Sequence, residues 1–245
     1  MIEYVGKRLI LNRGLFVSCA CILFARIAQT ISIVGENGFP IECDALFVGF
    51  NNMYVGLFIL APCLICSMQP IGNLVSNEKV IIRLKDKDSC VLRYARLLIT
   101  SAIICSAWMS LVTFLSFAVV CGNIAITANF TFLLLENSIL QMVFSVTCSC
   151  LFLVLNILSG NAAIASIGVF LYAAVDMITS GIPQLAGWFP ALSWAIVQIA
   201  KPYDVVPLVT RAVFPLLLSA LCSAISILEY RRGEIMGSKG SHHEW

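Results

Sequence analysis

NEKVIIRLKDKDSCVLRYARLL, Asn77 to Leu98, is the most charged stretch of the chain. It sets Lys79, Arg83, Lys85, Lys87, Arg93 and Arg96 against Glu78, Asp86 and Asp88. The runs on either side are apolar over about 20 residues or more, the length a helix needs to cross a bilayer. Working outward, the 245 residues are 60% hydrophobic and only 11% charged, where a soluble domain is charged at about 25% of positions. Mean hydropathy is +0.96. No water-soluble core hides that much apolar surface, so the sequence predicts an all-α polytopic membrane protein, a single transmembrane domain over residues 1–245.

Six spans are expected: Leu15–Val34, Asn51–Val75, Leu97–Cys121, Phe132–Ser159, Asn161–Ile182 and Pro207–Tyr230. The first is not expected to be a cleaved signal, because an Arg interrupts it and no small-residue cleavage site follows. Lys and Arg in the loops orient the bundle. With both termini in the cytoplasm, the inner side holds Lys7, Arg8 and Arg13, then the six cations of the opening stretch, then Arg231, Arg232 and Lys239. The outer side keeps Lys201 and Arg211 and an acidic loop, Gly35–Phe50, with Glu36, Glu42 and Asp44. The sequon Asn129-Phe130-Thr131 falls outside as well.

Two segments read as membrane-associated without spanning. Met1–Gly14 places Ile2, Val5 and Leu9 on one helical face; it is an interfacial helix or a simple positive anchor. Pro183–Val206 has an apolar centre too short to span, bracketed by Gly187, Pro190 and Pro202, which predicts short re-entrant helices on the outer side. Residues 231–245 form a basic cytoplasmic tail.

The absences narrow the function. No Gly-rich P-loop is present. The only histidines are His242 and His243, in the polar tail. A metalloprotease or a Ser–His hydrolase needs one within the spans. These absences make an intramembrane enzyme the weakest reading, and no metal site, no cofactor in this chain and no nucleic-acid partner are expected. The 11 cysteines lie mostly inside apolar runs and are not a disulfide framework. Cys63-x-x-Cys66 has redox spacing but sits in an apolar helix between Pro62 and Pro70, two prolines that should kink the second span.

Arg26, Glu136 and Asp176 fall inside spans, where ionisable groups are costly. At a rise of 1.5 Å per residue, Arg26 lies about 17 Å and Asp176 about 22 Å above the inner ends of their spans, and Glu136 about 6 Å below the outer end of its own. All three are thus intramembrane polar or translocation candidates: either Arg26 pairs with Asp176 or Glu136 in a polar site facing the bundle interior, or each snorkels outward or pairs purely for packing. Small residues four apart suit close helix packing: Ser101/Cys105, Ala102/Ser106, Ala162/Ser166, Ser219/Ser223 and Ala220/Ala224.

Within the opening stretch, Val80-Ile81-Ile82 and Leu84 precede a polar centre, Lys85–Ser89. The pattern predicts a short helix, a turn near Asp86–Ser89, and a second helix capped by Ser89 that leads into the third span. A topology marker explains the cations but not the interleaved acids or the apolar start, which suit docking to another protein.

Taken with the interfacial N-terminus, the inward termini, the short helices before the last span and the basic EYRRGEI tail (Glu229–Ile235), this loop resembles that of the type-2 ABC-transporter permeases. The likeness is best to the small permeases of peptide-exporter and bacteriocin-immunity systems and covers nearly the whole length. The Gly-Thr pair that often follows the family's loop Glu is replaced here by Lys79-Val80. The resemblance implies a coupling helix within residues 76–96 that seats in a separate ATPase, with Glu78, Arg83, Lys85, Asp86 and Arg93 as contacts. It also implies a second permease copy or a sister permease, ATP and Mg on the partner ATPase, a plasma-membrane location, and outward movement of amphipathic peptides or lipids. The competing readings are a stand-alone secondary transporter using Arg26, Glu136 and Asp176, and a structural subunit of a membrane complex.

Overall fold

The computed structural model describes residues 12–37, 43–50, 55–75, 87–120, 128–180, 212–213 and 215–228. Every regular element among them is helical. In chain order these are α1 (Arg13–Asn37), α2 (Cys43–Phe50), α3 (Ala61–Val75), α4 (Lys87–Val120), α5 (Ala128–Ser159), α6 (Ala162–Ser180) and α7 (Pro215–Leu228). Five helices are long and apolar enough to cross a membrane, which accords with a multi-pass membrane protein. Their outward faces are apolar: Phe16, Phe24, Ile31, Val119 and Leu217 are all exposed, as a surface bathed in hydrocarbon requires.

The expected sixth span is described only over Ala212, Val213 and α7, and α7 by itself is shorter than a span. Residues 1–11, 76–86, 181–211 and 229–245 lie outside the described residues. They contain nearly all of the expected interfacial helix, the first half of the charged loop, the expected re-entrant segment and the tail.

Three expectations change. Arg13 and Gly14 belong to α1 rather than to an interfacial lead-in. α4 begins at Lys87, two residues before the expected cap, so Lys87, Asp88 and Ser89 are helical and Ser89 is not the cap, while the part of it apolar enough to cross a membrane starts at Leu92. Polar residues do not end a helix by being polar; only the apolar stripe ends there. The outer loop Gly35–Phe50 is also largely helical: α1 runs on to Asn37, and α2 tucks Leu46, Phe47 and Phe50 against Phe117 of α4. The Phe50 and Phe117 rings meet edge to face with centroids 5.5 Å apart, a favoured aromatic geometry.

α1 and α3 run antiparallel and are joined by polar contacts. Asn12 Nδ2 donates to the Ser67 carbonyl at 2.8 Å, and Ser18 Oγ donates to the Cys63 carbonyl at 2.6 Å. Pro62 explains how α3 begins. With no N–H at Pro62, the carbonyl four residues back loses its donor, and the chain takes a π-helical turn over Gly56–Leu60, with Ala61 N–H bonding to Gly56 O. Pro70 likewise frees the Cys66 carbonyl. Gly14 lies against that oxygen so closely that a Cβ there would stand 2.0 Å from it.

α3 and α5 form the middle of the bundle, with α1, α4 and α6 around them. Short polar contacts tie α5 to its neighbours. Ser106 Oγ of α4 donates to Ser145 Oγ at 2.6 Å, and Asn156 Nδ2 donates to the Gly72 carbonyl at 3.1 Å. Ser219 Oγ of α7 meets Thr147 Oγ1 at 3.1 Å. The small-residue pairs Ser101/Cys105 and Ala102/Ser106 are buried as the spacing predicts, whereas Ala220/Ala224 face outward.

The Ser159-Gly160-Asn161 turn joins α5 to α6 where the sequence divides the fourth and fifth spans. Gly160 has φ +63° and its N–H bonds to Asn156 O at 2.9 Å, closing α5 in a left-handed cap. Asn161 Oδ1 accepts from Ala163 N–H at 2.8 Å and opens α6. Gly160→Val should therefore destabilise the protein by about 1–2 kcal/mol, and Gly160→Asn by much less, because Asn tolerates positive φ. Thermal unfolding in detergent checks the order of the two variants.

Candidate functional site: a buried arginine and two buried carboxylates

Arg26 is fully buried on α1. Its Nη1 donates to the Phe50 carbonyl at 2.6 Å and to Gln29 Oε1 at 2.9 Å. The guanidinium also sits over the Phe50 ring, 5.0 Å from the centroid, within cation–π reach. The short helix α2 thus covers the charge with both its last carbonyl and its last ring. The Nε and Nη2 atoms are buried and have no hydrogen-bond partner.

Glu136 and Asp176 are buried at 3% and 5% exposure, deep enough to separate them from lipid-facing or snorkelling groups. Both lie on the α5–α6 hairpin. Phe144 of α5 stacks on Tyr172 of α6 with centroids 5.6 Å apart. Asp176 lies one turn beyond Tyr172, about 6 Å further along, and Glu136 two turns beyond Phe144, about 12 Å. Because the hairpin is antiparallel, both carboxylates lie on the side of this aromatic layer away from the Gly160 turn. Buried Asn137 and Gln141 continue the polar stripe on α5.

The expected pairing of Arg26 with Asp176 or Glu136 is not formed: the arginine's partners are Gln29 and Phe50. Helix arithmetic places the three charges at comparable levels, but level is only one of two coordinates. α1 packs chiefly on α3 and α4 and touches α5 and α6 little, while α5 packs on α4 and α6, and α6 on α5 and α3. The arginine and the carboxylates therefore occupy two separate polar centres.

Of the loop candidates, Glu78, Arg83, Lys85 and Asp86 lie outside the described residues. Arg93 is half-buried on α4, and Arg96, one turn on, is exposed. Cys63 faces the core and Cys66 faces outward, both as free thiols, so the Cys-x-x-Cys spacing does not bring two sulfurs to one site. Among the described residues no group of three or more His, Cys, Asp or Glu side chains could hold a metal ion.

Sequence reasoning missed Phe50, the residue that covers Arg26, and Trp108, whose Nε1 donates to the Cys19 carbonyl at 2.8 Å. The apolar run Ala45–Phe50 was the available signal for the first. A lone Trp in mid-span carries none. Compared with known proteins, the chain matches no family model, no curated protein and no solved structure.

Proposed function

We propose that this chain is the membrane-spanning subunit of an ATP-driven exporter of the type-2 ABC permease kind. It couples through residues 76–96 to a separate ATPase and moves amphipathic peptides or lipid-like molecules outward. The observation that carries the reading is the length of α4. Its 34 residues extend about 51 Å against a hydrocarbon core of about 30 Å. The excess lies at its start, where Lys87, Asp88, Arg93 and Arg96 are found. Displacement applied to the charged loop enters the bundle along one unbroken helix.

A further observation supports six spans. α7 runs parallel to α5, with Ser219 against Thr147 and Ser223 against Cys150. A sixth span following a fifth has this direction, with the termini on one side, here taken as the cytoplasmic face of the plasma membrane. Pairing with a second copy or a sister permease would complete the exporter, and ATP and Mg would reside on the ATPase. The secondary-transporter reading is favoured by one feature, the burial of Glu136 and Asp176 within spans.

The test is co-purification with a candidate ABC ATPase co-expressed from the same host, followed by ATPase assays. Arg83→Glu with Lys85→Glu should reduce ATPase capture by at least tenfold while leaving the permease folded. Undiminished capture and coupling in that variant would overturn the assignment of the loop.

A further inference from the structure

α1 and α4 ascend the bundle side by side. Trp108 Nε1 of α4 donates to the Cys19 carbonyl of α1 at 2.8 Å, so the indole bridges the two helices at that level. Beyond the bridge, residues from Leu23 to Ile31 on α1 and from Val112 to Val120 on α4 line a groove of about 290 Å³. Val112, almost fully buried, lies at its floor. Ile27, Ile31, Leu115 and Val119 are exposed at its rim. They belong to the outward surface that hydrocarbon bathes, so the groove opens sideways to the bilayer.

Its shape and chemistry decide what fits. From Trp108 to Val120 the helix rises about 18 Å, slightly more than half of the ~30 Å hydrocarbon core. A volume of about 290 Å³ drawn out over that length is far thinner than the ~10–12 Å of a helix with its side chains. A spanning helix of a second copy or of another protein therefore does not seat in it. No charged residue lines the groove, and every side-chain donor in the lining is already engaged. Thr30 Oγ1 donates to the Arg26 carbonyl at 2.7 Å, Ser116 Oγ to the Val112 carbonyl at 2.9 Å, and the Trp108 N–H to Cys19. Water finds too few partners on such walls to stay, and an empty groove forfeits the dispersion contacts of both.

We propose that the α1–α4 groove binds one unbranched acyl chain of a bilayer phospholipid, lying lengthwise between the two helices. The chain completes the packing of α1, which is the least covered of the five spans: 17% of its most apolar window is buried, against 33% or more in the others. Binding needs no ATPase and stands apart from the exporter reading.

The test reconstitutes the purified full chain in equal amounts of dioleoyl- and diphytanoylphosphatidylcholine, whose chains are straight and methyl-branched. The protein is then extracted in a sterol-based detergent, which offers no alkyl chain as a competitor, and weighed by native mass spectrometry. One phospholipid should remain on each chain, with the straight lipid favoured by about tenfold or more, because each branch overpacks the groove. Leu115→Trp fills the groove from α4 and should release the lipid. Ile27→Trp fills it from α1 and should do the same, so the result does not hang on the folding of one variant. Leu171→Trp, at an equally exposed position on α6 outside the groove, should retain the lipid. Absence of retained lipid, equal retention of the two lipids, lipid kept in both groove-filling variants, or equal loss in Leu171→Trp would each overturn the proposal.

Discussion

Gly14→Val should yield almost no folded protein, while Gly35→Val on the same helix should be nearly silent. A Cβ at position 14 would lie 2.0 Å from the Cys66 carbonyl oxygen and 3.0 Å from its carbon. Backbone cannot rotate away as a side chain tip does, so α1 must lift off α3. Lifting breaks the bonds from Asn12 to Ser67 O and from Ser18 to Cys63 O. Overpacking and two lost hydrogen bonds together cost roughly 3–5 kcal/mol, a large share of the ~5–15 kcal/mol that holds a typical domain together. At Gly35 nothing lies within 4 Å of the same added atom, and the change should stay within about 0.5 kcal/mol. Monodisperse yield on size exclusion and the unfolding midpoint, measured side by side, separate the two. A well-folded Gly14→Val would mean that α1 and α3 do not approach as described.

Leu92→Pro should abolish transport while ATPase capture persists. Leu92 is exposed and lies on the sixth residue of α4, beyond the first turn in which proline is tolerated. Proline there removes the N–H that bonds to Asp88 O and clashes with that carbonyl, costing about 3 kcal/mol locally and kinking the helix. Because the side chain packs on little, Leu92→Ala is a clean control for loss of contact. If α4 carries motion from the loop into the bundle, a kink between them leaves the ATPase docked and hydrolysing but disconnected. The measurement is ATP hydrolysis and substrate efflux in the same proteoliposomes. Efflux that survives in Leu92→Pro would show that the unbroken helix is not the transmitting element.

Several elements could be read from single residues. The Ser159/Asn161 division was legible because Gly160 is the residue a left-handed helix cap demands. Arg26, Glu136 and Asp176 were legible as ionisable groups within spans, with burial and outward snorkelling both open. Their partners were not, because helical rise gives depth but not direction around the bundle, and direction is set by which helices pack on which. α2 was hidden for a different reason. Glu36, Glu42 and Asp44 mark Gly35–Phe50 as a polar outer loop, yet its last six residues are apolar and fold back onto Ile33 and Phe117. A helix leading into the third span was legible, but its start was set at a Ser89 cap, and the helix keeps its backbone bonds back to Lys87, after its apolar stripe has ended.

The Gly160 turn also bears on how the chain is made. Only two residues separate α5 from α6, so the contacts between them are close in sequence, and contacts of that kind form early because little loop entropy opposes them. α5 and α6 are thus positioned to enter the membrane as one hairpin and present Phe144, Tyr172 and both carboxylates as a ready-made surface. α1, synthesised first, reaches its full set of partners late, since Trp108 of α4 must arrive before the Cys19 carbonyl is satisfied. The α5–α6 hairpin needs only neighbouring sequence to form, whereas α1 draws one of its bonds from a residue 89 positions further along the chain.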